Sequence, residues 1–79
     1  MPITESPSVA INGREVRRRR KMQGYNLAPF AAKCQISEAY LSHIETGKRT
    51  KVAPRVFGAI CTALGVEDRQ ELVISDEVA

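Results

Sequence analysis

Residues 25–49 read YNLAPFAAKCQISEAYLSHIETGKR. Within them Tyr25-Asn26 leads to Phe30, and Ile36-Ser37 leads to Leu41. Each pair sets a polar residue suited to cap a helix between one apolar residue outside the helix and another in its first turns. The cap oxygen can accept a free backbone N–H, and the two apolar groups close as a hydrophobic staple. The spacing predicts helices over 27–34 and 38–46, joined only by Gln35, Ile36 and Ser37. The apolar positions of the pair are Phe30, Ala31, Cys34, Ile36, Leu41 and Ile44, and the small Ala31 permits a close crossing. Two short helices joined this tightly meet steeply, so the second projects a whole face outward. That face carries Glu38, Ala39, Ser42, His43 and Thr46. Pro29 fits because it falls in the first turn, where N–H groups have no partner within the helix.

The same device marks a helix upstream, where Ile11-Asn12 leads to Val16 and Glu15 supplies the acidic half of a capping box. Gly24, Gly47 and Gly65 each follow a helical stretch and provide stops. The first helix is therefore expected over 13–23. Pro54 suits the first turn of a fourth helix running to Leu64, whose Phe57, Ile60, Cys61 and Leu64 form an apolar stripe. A short fifth helix is expected over 68–73. No segment alternates as a strand would, which predicts an all-α, five-helix domain over 11–73. Residues 1–10 (MPITESPSVA) are expected to be a mobile arm, and 74–79 a tail.

With 79 residues the chain suffices for one domain with a thin core, which an oligomer partner would help. The net charge of +3 divides into +7 through Gly65 and −4 from Val66 onward. A basic body suits a polyanion partner, and equally a merely solvated surface. Cys34 and Cys61 stand in apolar helical surroundings and His43 is the single histidine, so buried reduced thiols are expected, with no metal and no cofactor. No apolar run can span a membrane, and the first ten residues do not resemble a secretion signal, which places the chain in the cytoplasm. Neither a Ser/His/Asp set, paired carboxylates in an apolar cleft nor a glycine-rich phosphate loop is present, so no enzyme is expected.

Residues 25–49 resemble the helix-turn-helix of the Cro and phage-repressor (XRE) family, through Phe30-Ala31, Ile36-Ser37, Leu41-Ser42, Ile44-Glu45, Gly47 and Arg49. The likeness extends over the first helix and through ALGVEDRQEL at 63–72. Leu27 stands where the family often has glutamine, Gln35 replaces the turn glycine, and Arg19 takes a position that is often leucine. The resemblance implies a compact lambda-repressor-like fold with the third helix in the major groove of duplex DNA.

On that reading Glu38, Ala39 and His43 are the base-contacting candidates, suited to a cytosine amine, a thymine methyl and a guanine edge. A plain helix-terminal carboxylate for Glu38, and an idle exposed His43, are the alternatives. Asn26, Ser37, Tyr40, Ser42, Thr46, Lys48, Arg49 and Lys51, with Arg17 and Arg18 from the first helix, are the sugar-phosphate candidates. Arg20 and Glu45 resemble a structural ion pair of the family. The family's two-fold logic implies a homodimeric repressor on a near-palindromic operator, and the leftover apolar residues Val66, Leu72, Val73 and Ile74 are expected at the dimer interface. An antitoxin with a toxin partner, a regulator with an antirepressor partner, and a protein-binding helical module remain alternative readings.

Overall fold

A computed structural model describes residues 8–74; the first seven residues of the expected arm, and the tail beyond Ile74, lie outside the described residues. The elements in order are β1 (Val9–Ala10), α1 (Gly13–Met22), α2 (Leu27–Cys34), α3 (Glu38–Thr46), β2 (Lys51–Val52), α4 (Pro54–Leu64) and one 3-10 turn (Arg69–Leu72). The helix starts follow the capping chemistry in two cases of three. The Asn12 side chain accepts the Glu15 N–H at 3.2 Å, and Ser37 accepts the Tyr40 N–H at 3.0 Å. Asn26 occupies the cap position of α2, but its side chain makes no capping hydrogen bond. The capping box at α1 is half formed. The Asn12 N–H donates instead to the Leu72 carbonyl at 2.7 Å, and the Glu15 carboxylate turns to Arg18 and Arg19.

α1 packs on α3, and α2 packs on both α3 and α4. Between them lies a core of Ile11, Val16, Phe30, Cys34, Leu41, Ile44, Val52, Ile60, Cys61 and Leu72, all at 2 % exposure or less, with Ala31, Val56, Phe57 and Leu64 completing it. The staple at α2 is visible as a tilted ring contact, Tyr25 to Phe30 at 5.5 Å between centroids. Both thiols are free and buried, and desolvation pushes Cys34 up to about 11, which keeps it protonated at neutral pH.

Three expectations need correction. The described residues are not all helical, because β1 pairs antiparallel with β2, Val9 opposite Val52 and Ala10 opposite Lys51. The expected arm thus ends in an ordered strand. Its backbone is fixed on both sides: Ile11 N–H donates to the Thr50 carbonyl at 2.9 Å, and Ile74 N–H to the Ala10 carbonyl at 3.0 Å. The fifth helix is a single 3-10 turn, started by Asp68, whose carboxylate accepts the Gln70 N–H at 3.1 Å. Leu72, expected at a dimer interface, is fully buried in the chain's own core, because the turn drops its side chain inward. Val66 and Val73 are half-buried and also pack against that core.

Gln35 ends α2 in the left-handed region, at φ 63 and ψ 39, and is the one non-glycine residue at positive φ among those described. A side chain there costs about 1–2 kcal/mol, part of which glycine would give back through its freer unfolded chain. Gln35→Gly is expected to raise stability by roughly 0.5–1 kcal/mol, read as a higher urea midpoint at unchanged slope. A lower midpoint would show that the side chain contributes more than its backbone strain costs.

Candidate nucleic-acid interface

The first requirement of a reading helix is that it be held from behind, and α3 is. Its buried side is Leu41, Ile44 and Glu45. Glu45 receives the Arg20 guanidinium in a fork, Nε to Oε2 at 2.7 Å and Nη2 to Oε1 at 3.0 Å. Arg20 spends a further donor, Nη1, on the Tyr25 carbonyl at 2.7 Å. Both residues are 6 % exposed, and the hydrogen bond to Glu45 raises the Arg20 pKa against the opposing effect of burial. One arginine therefore joins α1, the α1–α2 loop and α3.

The opposite side of α3 is free. Glu38, Ala39, His43 and Thr46 are exposed, and Ser42 and Tyr40 are half-buried at its flanks. Thr46 is less available than its position suggested. Its hydroxyl donates to the Ser42 carbonyl at 3.0 Å, so its one proton is engaged within the helix.

The chain leaving α3 carries Lys48, Arg49 and Lys51, all exposed. Two contacts hold this segment. The Arg49 N–H donates to the His43 carbonyl at 2.9 Å, and its guanidinium lies over the Tyr40 ring at 5.3 Å, a cation–π contact. Lys51 belongs to β2 and is fixed by its pairing with Ala10. Asn26 is exposed at the start of α2, and its side-chain oxygen accepts no capping bond. Ser37 is exposed at the start of α3; its oxygen accepts from Tyr40 while its proton remains usable.

On α1 the arginine run divides by role. Arg18 is bound to Glu15 through two nitrogens, at 2.7 and 3.2 Å. Arg19 bridges Glu15 and Glu71, each at 2.7 Å, which fastens the 3-10 turn to α1 and explains why a charge stands where an apolar residue was expected. These guanidiniums, Arg18 foremost, hold the Glu15 carboxyl down to about 2. Arg14, Arg17, Arg18 and Lys21 line a depression beside Glu45. Arg14 and Lys21 belong to the basic run from which Arg17 and Arg18 are preferred on sequence, and their spacing with Arg17 (i, i+3, i+7) puts all three on one helical face.

The apolar residues expected to join two copies are only partly available. Ile74 is half-buried, with its N–H committed to Ala10, and Val66 and Val73 flank the buried Leu72. Among the described residues, no three His, Cys, Asp or Glu side chains are grouped to hold a metal ion, and no helix is long and apolar enough to cross a membrane.

This architecture has close structural counterparts. The crystal structure of SinR, described as the master regulator for biofilm formation and solved in complex with DNA, is 29% identical, with a TM-score of 0.66 over 70% of this chain and 90% of that one. The N-terminal DNA-binding domain of SinR from Bacillus subtilis is 26% identical, with a TM-score of 0.72 over 84% of this chain and 94% of that one. No curated protein matches the chain. A family model described as a helix-turn-helix domain matches residues 13–73, from the first residue of α1 to just past the 3-10 turn. The chain belongs to the helix-turn-helix domain family.

Proposed function

We propose that the chain is a sequence-specific, duplex-DNA-binding transcription regulator of the XRE type, a repressor that occupies a near-palindromic operator as a homodimer. The observation that carries this reading is the α3 surface. A helix locked from behind by Arg20–Glu45 presents Glu38, Ala39 and His43 outward, beside a segment bearing Lys48, Arg49 and Lys51. Its likeness to SinR, a protein solved in complex with DNA, supports the same use.

In this reading the exposed face of α3 lies in the major groove. Glu38 accepts from a cytosine amine, Ala39 packs on a thymine methyl, and His43 donates to a guanine edge. Asn26, Ser37, Tyr40, Ser42, Lys48, Arg49 and Lys51 hold the sugar-phosphate backbone. Arg17, with Arg14 and Lys21 on the same face, extends that grip along α1; Arg18 contributes less because Glu15 already neutralises it. Thr46 takes part only if its hydroxyl leaves Ser42. Val66, Val73 and Ile74 form the surface offered to a second copy.

Selection from randomised duplexes, followed by salt titration, tests the reading. A two-fold symmetric site is expected, with affinity falling steeply as salt rises. Glu38→Ala and His43→Ala should each cost about 1–3 kcal/mol on that site and relax the choice of base at one position. Arg49→Ala should weaken all sequences alike and flatten the salt slope by about one phosphate contact. Failure to enrich any sequence, or an affinity indifferent to salt, would remove this function.

A further inference from the structure

A second basic surface lies outside the proposed interface. The C-terminal half of α2 and one side of α4 enclose a groove of about 450 Å³. Lys33, Arg55 and Arg69 stand around it, all exposed, and its lining includes no carboxylate. Arg55 and Arg69 make no ion pair among the described residues, in contrast to Arg18, Arg19 and Arg20, each of which holds a glutamate. The floor is different in kind: Gly58, Ala59 and Ala63 are small and half-buried. Arg69 reaches across Gly58, where an added Cβ would stand 3.6 Å from its Nη1. None of the residues proposed to touch DNA lines this groove.

Three cations without an ion pair among the described residues, set around a floor of small residues, select an anionic partner with some apolar surface. The lining includes no aromatic ring, whereas single-stranded nucleic acid is normally held by stacking as well as charge. The small floor residues instead let a polypeptide backbone approach closely, and arginine forks match carboxylates geometrically. We propose that the α2–α4 groove docks an acidic segment of a protein partner, its carboxylates on Arg55 and Arg69 and a small apolar side chain on Gly58, Ala59 and Ala63. Because the groove shares no residue with the α3 surface, such a partner and DNA would bind together, not in competition.

The test titrates the ¹⁵N-labelled full chain with a twelve-residue peptide repeating Asp-Ala-Glu-Ala, with and without excess duplex DNA. The amides of Gly58, Ala59, Thr62 and Ala63 are expected to shift in both conditions, while an Asn-Ala-Gln-Ala repeat leaves them still. The double variant Arg55→Gln/Arg69→Gln, and separately Ala63→Glu, should weaken the peptide at least tenfold and leave duplex affinity within twofold. Both alter exposed or half-buried positions, so the fold survives to be measured. Shifts confined to α3 and residues 48–51, and abolished by duplex, would overturn the proposal as general polyanion attraction. Groove shifts produced by the duplex itself would reassign it to nucleic acid. Peptide binding that appears only in Asp76→Asn/Glu77→Gln would mean that the chain's own tail is the occupant, and would also overturn it.

Discussion

Arg20→Met is expected to destabilise the fold by about 3–5 kcal/mol, because it leaves the Glu45 carboxylate buried without its cation. The fork at 2.7 and 3.0 Å and the third bond to Tyr25 are made by one planar group, so Arg20→Lys should recover little of the loss. A domain of this size has about 5–15 kcal/mol in total, and a loss on this scale brings it close to unfolding at working temperature. Replacing both partners, Arg20→Met with Glu45→Leu, should be far milder than either single change, since a buried pair contributes little net stability over apolar groups of similar volume. Urea denaturation of the two single variants and the double variant checks this. A cost under about 1 kcal/mol for Arg20→Met, or a double variant as unstable as the sum of the singles, would remove the pair from its role as the brace of α3.

The second large effect comes from Gly13. It opens α1 where the helix meets the backbone of α3: a Cβ added there would overlap the Ile44 carbonyl oxygen and stand 2.8 Å from its carbon. Both are main-chain atoms and cannot rotate away, so α1 and α3 would have to part. Gly13→Ala is expected to cost about 3 kcal/mol or more. Helix propensity alone gives the opposite sign, a gain of about 1 kcal/mol for alanine over glycine inside a helix. A raised melting midpoint would show that the helices yield cheaply; a lowered one, with the urea slope unchanged, would show that the crossing is rigid. Because the contact is on α3, the folded fraction of the variant should also bind the selected duplex more weakly than the parent.

These two residues show where sequence legibility ends. Arg20 and Glu45 were paired through a family resemblance; no spacing rule links positions 25 residues apart. Gly13 gave no signal at all, since a glycine after a capping asparagine reads as an ordinary helix start. The exposed α3 face, by contrast, was largely legible, because outward and inward positions follow from the helical period once Leu41 and Ile44 are placed in the core, with only Ser42 half-buried where the outward face placed it. Among the phosphate candidates, Arg18 and Thr46 have local partners that only coordinates reveal, although Glu15 three residues before Arg18 was a readable hint.

What the sequence determined by itself was local. The caps at Asn12 and Ser37, the staple from Tyr25 to Phe30, the glycine stops and the stripe on α4 involve residues at most seven apart, so composition and spacing specify them before any tertiary contact exists. What tertiary structure decided was everything that closes a long loop. β1 and β2 are two residues each, too short for a period-of-two pattern, and are held by long-range pairing of Val9 with Val52 and Ala10 with Lys51, with Ile11 bonded to Thr50 beside them. Leu72 reaches the core from a 3-10 turn that the bond between the Asn12 N–H and the Leu72 carbonyl ties to the start of α1. Long-range hydrogen bonds and burial select such elements; local propensity does not, because no residue within the segment gains from adopting the structure alone.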